Sequence, residues 1–162
     1  NDRQYTGMPT TPEIVYGFGP SFRYKKFDFS FFFQGAARVS IMMNGIHPFG
    51  AEGTRNVLQF IADDYWSETN QNIYAEYPRL SKRANENNTK ASTYWQRNGA
   101  FLKLKNLEVG FNHKFFRVYL RVSNLLTFSP FKYRDPEMGS GSGLSYPTQR
   151  VFNVGVQFSI NK

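Results

Sequence analysis

The residues able to do chemistry in this chain are few and scattered. His47 and His113 are isolated in the sequence and read as ordinary loop or turn histidines, not as a general base or a metal ligand. Asp63 and Asp64, with Glu68 nearby, are carboxylates of the kind that hold Ca²⁺. Their spacing is not that of a calcium-binding loop, and a solvated acidic loop is the better reading. Asp135 and Glu137 flank Pro136 ahead of a glycine run, where they would cap or brace a turn. Asn87-Asn88-Thr89 matches the N-glycosylation pattern only formally. Cysteine is absent, which leaves no disulfide framework and no thiolate metal site. No catalytic constellation, metal site or cofactor is expected, and the chain is not read as an enzyme. Aromatic residues are what remains. Tyr65, Trp66, Tyr74, Tyr77 and Trp95 lie in or beside one polar, irregular region. Flat rings suit contact with a sugar, a peptide or a covering protein, because they bury area at little entropic cost. Each ring also has a plainer role, packing the region on itself or sitting in an interfacial belt, and for any single residue that role weighs more.

The elements that must position these residues show a period of two. Ile14, Tyr16, Phe18, Pro20, Phe22 and Tyr24 are apolar, while Gly17, Gly19, Ser21, Arg23 and Lys25 between them are small or charged. After Lys25–Lys26, Phe27, Phe29, Phe31 and Phe33 share a face opposite Asp28, Ser30, Phe32 and Gln34, which predicts a hairpin with a very short connection. Farther on, the apolar phase changes from Leu102 and Leu104 to Leu107, Val109 and Phe111, as a bulge near Lys105–Asn106 would require. Val118, Leu120, Val122, Leu126 and Phe128 then alternate with polar residues that include Arg121 and Ser123. Phe152, Val154, Val156, Phe158 and Ile160 do so with Asn153, Gly155, Gln157, Ser159 and Asn161. The predicted strands are 13–25, 27–41, 94–112, 116–129 and 148–161, and the irregular connections 42–93 and 130–147. One short helix is expected from Arg55 to Tyr65, with Val57, Leu58, Ile61, Ala62 and Tyr65 at helical spacing.

Strand and connection lengths together select an architecture. These strands exceed the mean soluble strand of about five or six residues, and a tilted strand crosses a bilayer in about 9 to 11. Connections alternate between short (25–26, 112–116) and long (42–93, 130–147), as in outer-membrane barrels with short periplasmic turns and long extracellular loops. The fold expected is all-β, a partial transmembrane antiparallel β-barrel. A mean hydropathy of −0.53 argues against membrane helices, although alternating barrel strands give such values as well. The net charge of +8 comes from lysines and arginines scattered singly or in pairs, so no nucleic-acid partner is expected. About five strands cannot close a membrane barrel, and open edges in lipid would leave backbone groups unpaired. With no initial Met and no secretory leader, the chain is read as a processed product or a piece completed by the rest of its own polypeptide. Two other readings stay open: a soluble, aromatic-rich carbohydrate-binding β-sandwich, and a non-transporting outer-membrane scaffold barrel.

Specific motifs then appear in order. The run from Tyr94-Trp95-Gln96-Arg97-Asn98-Gly99-Ala100 through Phe101-Leu102-Lys103-Leu104-Lys105-Asn106 to Gly110-Phe111 resembles a stretch of the SusC/RagA-type TonB-linked outer-membrane transporters. Leu120-Arg121-Val122-Ser123-Asn124-Leu125-Leu126-Thr127-Phe128, then Tyr133-Arg134-Asp135-Pro136-Glu137, then Tyr146-Pro147-Thr148-Gln149-Arg150 with the final strand, are similar to that family's closing elements. Asp2-Arg3, Thr6-Gly7 and Tyr16-Gly17-Phe18 resemble earlier ones. The resemblance implies the last strands of a roughly 22-stranded barrel with an upstream plug, energised by TonB and capped by a SusD-like surface lipoprotein. It also implies import of oligosaccharides or peptides across the outer membrane of a Gram-negative, Bacteroidetes-type bacterium. One departure is that the family ends on an aromatic residue, whereas this chain ends Ile160-Asn161-Lys162. Lys82, Arg83, Lys90 and Arg97 are expected near the outer rim, where lipid and lipopolysaccharide phosphates would meet them.

Overall fold

The alternating stretches form strands. The computed structural model describes residues 3–43, 57–81, 85–141 and 145–159. Its strands are β1 (Ile14–Phe18), β2 (Ser21–Tyr24), β3 (Phe27–Ala37), β4 (Ser40–Met42), β5 (Gln96–Asn98), β6 (Phe101–Asn112), β7 (Phe116–Phe128) and β8 (Val151–Phe158). A six-stranded antiparallel sheet runs β1-β3-β6-β7-β8, with β2 also on β3, and β4 pairs with β5 in a small second sheet. The short helices are α1 (Gln59–Asp63) and α2 (Glu86–Thr89). Helix α1 occupies less of the chain than the helical spacing suggested, and 55–56 lie outside the described residues. Helix α2 sits in a stretch with no helical signal; the Asn85 side chain caps it by accepting from the Asn87 N–H at 3.0 Å.

β1 and β2 are two halves of one arm. Phe18 pairs with Phe33 and Ser21 with Ser30 in an uninterrupted register. The break at Gly19–Pro20 has a hydrogen-bonding cause, and glycine is the residue that fits the close approach beside it. A Cβ at Gly19 would stand 2.7 Å from the Phe31 carbonyl oxygen, and Pro20 has no N–H to donate. The Pro20 carbonyl still accepts from the Phe31 N–H at 3.3 Å. At the hairpin tip Lys25 takes a φ of 52°, which the two-residue connection imposes on a side-chain-bearing residue.

The bulge falls where the phase change put it. Phe32 faces Asn106 and Phe33 faces Leu104, so Lys105 has no partner on β3. On the other side, Leu104 faces Leu126 and Asn106 faces Ser123, so β7 passes Lys105 with Asn124 and Leu125. Asn124 is left-handed at φ 54°, and its side-chain amide donates to the Gln149 carbonyl at 2.9 Å.

The chain divides into two compact units. Among the described residues, the loop unit gathers 3–6, 41–43, 57–81, 85–97, 140–141 and 145, and the strand unit gathers 7–40, 98–139 and 146–159. The loop unit has its own apolar centre of Ile41, Met43, Ile61, Ala75, Tyr77 and Trp95. The strand unit buries less. Along one face of its sheet, Phe18, Phe22, Phe27, Leu120, Phe128, Phe152 and Val156 stay exposed, and Val154 is 77% exposed.

Candidate functional site: a two-faced wall and an aromatic loop unit

Register decides what meets on each face of the sheet. Phe29, Val109, Leu120 and Val154 form one cross-strand row, and Phe31, Leu107, Val122 and Phe152 the next. On the opposite face, Ser30, Glu108, Arg121 and Asn153 share a row, as do Asp28, Gly110, Tyr119 and Gly155. Arg117 reaches across these rows. Its guanidinium bonds both Asp28 and Glu108, and Glu108 also accepts from Arg121 at 2.6 Å. Asn112 donates a further side-chain bond to Asp28. Tyr119 lies between the two guanidiniums, at 5.1 Å from Arg117 and 5.7 Å from Arg121. Gly155 leaves room for the Tyr119 ring, since any Cβ there would overlap it. This face is polar, cross-linked by charge and shaped by glycine.

A strap from the β7–β8 connection closes over the same face. Lys103 is 1% exposed, and its ammonium donates to Asp135 at 2.5 Å and to Glu137 at 2.8 Å. Lys105, freed by the bulge, reaches Glu137 at 2.8 Å. Asp135 also caps the turn Pro136–Met138, accepting from the Glu137 N–H at 3.1 Å. Burial pushes the Asp135 and Glu137 carboxyls up. Hydrogen bonds from the lysines, joined at Asp135 by the Glu137 N–H and Thr148, act together with the lysine charges to outweigh it, and both carboxyls sit below their ordinary values. Beside the strap, Thr127, Ser129, Lys132 and Arg134 help line a cavity of about 250 Å³.

The loop unit is built around stacked rings. Trp95 packs edge-on against Tyr94 at 4.9 Å and tilted against Tyr77 at 5.6 Å, and Phe60 lies 6.1 Å from Tyr77. The Trp95 indole N–H donates to the Asn88 carbonyl at 2.9 Å, and the Tyr94 hydroxyl donates to the Ala75 carbonyl at 3.1 Å. Burial holds the Tyr94 hydroxyl pKa above its ordinary value. Arg97 pairs with Glu76 and donates to the Tyr94 carbonyl at 2.6 Å. Tyr65 and Tyr77 form an isolated bridge, and the Trp66 N–H donates to the Tyr77 carbonyl at 2.9 Å.

No protein-family model matches the chain. Two curated relatives, both from Formosa agariphila, do. TonB-dependent receptor P3 is 29% identical over 178 residues, covering 96% of this chain and 17% of the relative. TonB-dependent receptor P26 is 28% identical over 183 residues, covering 96% and 18%. Among solved structures, the RagAB peptide importer in its open-open state superposes with a TM-score of 0.68 at 25% identity, over 93% of this chain and 17% of that one. The RagAB peptide transporter gives a TM-score of 0.69 at 24% identity, over 92% and 17%, a likeness of fold. The sequence and fold resemble those of the closing segment of a SusC/RagA-type barrel. The chain thus spans about one-sixth of the length of the curated relatives it matches.

In a SusC/RagA-type wall, the apolar rows face lipid and the charged rows face the interior, as alternation in a membrane strand requires. The aromatic candidates separate by burial. Tyr77 and Trp95 are enclosed in the loop unit and serve its packing. Tyr65 and Trp66 are half-buried, and Tyr74 stands 86% exposed. Arg97, expected to be available at an outer rim, is occupied by Glu76 because the chain folds 76 against 97. Lys90 is exposed, while Lys82 and Arg83, like His47 and Ile160 to Lys162, lie outside the described residues. His113 stacks on Phe116 at 4.8 Å. Asp63 accepts from Gln59 and Asp64 from the Glu76 N–H, while Glu68 pairs with Arg79, so the three turn to separate partners. The Asp28–Arg117–Glu108–Arg121 network escaped sequence reasoning. Its members become neighbours only once two registers and a bulge are fixed.

Proposed function

We propose that the chain is part of the wall and outer mouth of a TonB-dependent outer-membrane transporter that imports oligosaccharides or peptides beneath a SusD-like lipoprotein lid. The wall is not an enzyme. The observation that carries the reading is the two-faced sheet, with exposed aromatic and aliphatic rows on one side and an ion-paired, glycine-spaced face on the other. A soluble sandwich would have to cover those exposed rows, and apolar patches of that extent mark membrane or partner contact. Short connections then lie at the periplasmic end and the two long connections at the cell surface of a Gram-negative, Bacteroidetes-type bacterium. The plug, the remaining strands and the TonB contact come from the rest of the polypeptide. Tyr65, Trp66 and Tyr74 are the rings that meet substrate or lid.

The test is made in the native host. Deleting the gene should abolish growth on one class of polymer, peptide or glycan. The wild-type gene should restore it, and a Tyr65→Ala/Trp66→Ala/Tyr74→Ala gene should restore it weakly. Undiminished growth of the deletion strain on every oligosaccharide and peptide source it normally uses would remove the transport reading and leave a scaffold barrel.

A further inference from the structure

We propose that the short-turn end of the strand wall is a binding site for anionic phospholipid headgroups, formed by Lys25, Lys26 and Lys114 above a ring of exposed aromatic residues. The inference rests on the reading of the sheet as a membrane wall and adds a ligand class to one end of it. The two short turns are hydrogen-bonded neighbours. The Asn112 N–H donates to the Lys26 carbonyl at 2.6 Å, and the Ser159 N–H donates to the Phe115 carbonyl at 3.0 Å, which ties the end of the last strand to the same rim. Adjacent strands lie about 4.8 Å apart, so ammonium groups from the two turns can reach one headgroup or two adjoining ones.

Charge at this rim is uncompensated. Lys25, Lys26 and Lys114 are exposed, and among the described residues no carboxylate pairs with them. The acids of the adjoining strands β3 and β6 are engaged on the polar face: Asp28 is held by Arg117 and Asn112, and Glu108 by Arg117 and Arg121. Each turn also carries rings directly below its cation. Lys25 Nζ lies 5.3 Å from the Tyr24 ring centre and Lys114 Nζ lies 5.4 Å from that of Phe115. Tyr24 is 72% exposed and Phe158 76% exposed, with Phe27 and Phe115 also exposed.

This layering matches an amphiphile better than a free ion. Aromatic rings favour the boundary between hydrocarbon and headgroups, and lysines extend their charge past them into the polar layer. A phosphate with no acyl chain would gain the charge contact alone. A headgroup of net negative charge gains both, with attraction that adds up over the nearby lysines.

The experiment uses the full-length transporter, purified in detergent and incorporated into vesicles of phosphatidylglycerol and phosphatidylcholine in equal amounts. Lipids that stay bound on extraction are counted by native mass spectrometry. The wild-type protein should retain phosphatidylglycerol over phosphatidylcholine by on the order of tenfold or more. Lys25→Gln/Lys26→Gln/Lys114→Gln should lose that preference, and Lys25→Arg/Lys26→Arg/Lys114→Arg should keep it. Equal retention of both lipids by the wild-type protein overturns the inference whether or not the variants fold. Displacement of phosphatidylglycerol by millimolar inorganic phosphate overturns the choice of a lipid over a free anion. A protein that stays soluble without detergent and enters neither lipid fails at the wall reading itself, whereas one that inserts without preference fails only here.

Discussion

Replacing Lys103 by Met removes the cation at the centre of the strap while keeping the volume of its stem. Lys103 is buried and bonds two carboxylates, at 2.5 and 2.8 Å. Breaking a buried pair costs about 3 to 5 kcal/mol. The lower end applies here, because Glu137 keeps Lys105 and its side chain is 30% exposed. A cost of about 3 kcal/mol, at about 1.4 kcal/mol per decade, is roughly a hundredfold increase in the open population of the strap. Hydrogen exchange followed by mass spectrometry on the full-length protein reads this directly. Protection at Met138 and Gly139, whose N–H groups donate to Asp135 and Pro136, should fall by about that factor, while β6 and β7 keep theirs. Adding Asp135→Asn to Lys103→Met should recover part of the loss, because the stranded charge is removed as well. The pH dependence has a definite sign. Asp135 and Glu137 sit below their ordinary 3.8 and 4.5, so their stabilisation is complete above those values and is lost as pH falls through the lower folded ones. Strap protection, corrected for intrinsic exchange, should be flat from neutral pH to about 5 and fall below about 4. A change under threefold in Lys103→Met, or an equal loss throughout the strands, would refute this account of what holds the strap.

Two further outcomes follow from the two units taken separately. Val154→Arg, on the lipid-facing row beside Leu120, should cost about 2 to 4 kcal/mol and lower the yield of heat-resistant, folded barrel on gels; Gln157→Glu, opposite Arg117, should not. Trp95→Ala should cost about 3 to 5 kcal/mol within the loop unit and expose it to limited proteolysis, whereas Tyr74→Ala should leave its protease resistance unchanged and alter uptake only.

Much of the wall was legible because side-chain direction in a strand depends only on parity. Phe27 to Phe33, Val118 to Phe128 and Phe152 to Phe158 declare their faces one residue at a time, and a single lapse of parity sufficed to locate the bulge. What stayed hidden depends on pairing or on the third dimension. Lys103 looks like any polar-face lysine until Asp135 and Glu137 return over it from 32 and 34 residues away. The break at Gly19–Pro20 is invisible to alternation, because both halves keep the same parity. Trp95 has the alternation of an exposed strand residue, yet it lies in a short 3-10 turn (Thr93–Trp95) and fills the centre of the loop unit. Burial there is set by contacts with Tyr77 and Asn88, which no local pattern encodes.

Lys105, which no β3 residue faces, has a consequence for how such a wall can change over time. Losing that one residue would restore an unbroken alternation in β6, and Leu102, Leu104, Leu107, Val109 and Phe111 would keep one face without any bulge. Losing Lys103 while the bulge stays would instead turn Leu102 from the lipid face to the interior. Insertions and deletions in the two long connections leave parity untouched, so length can vary freely there. Within the strands, length is coupled to sidedness: away from the bulge, a single-residue change is excluded unless a second one nearby reverses the phase. The bulge makes residue count, beyond residue type, part of what specifies the inside and outside of this barrel.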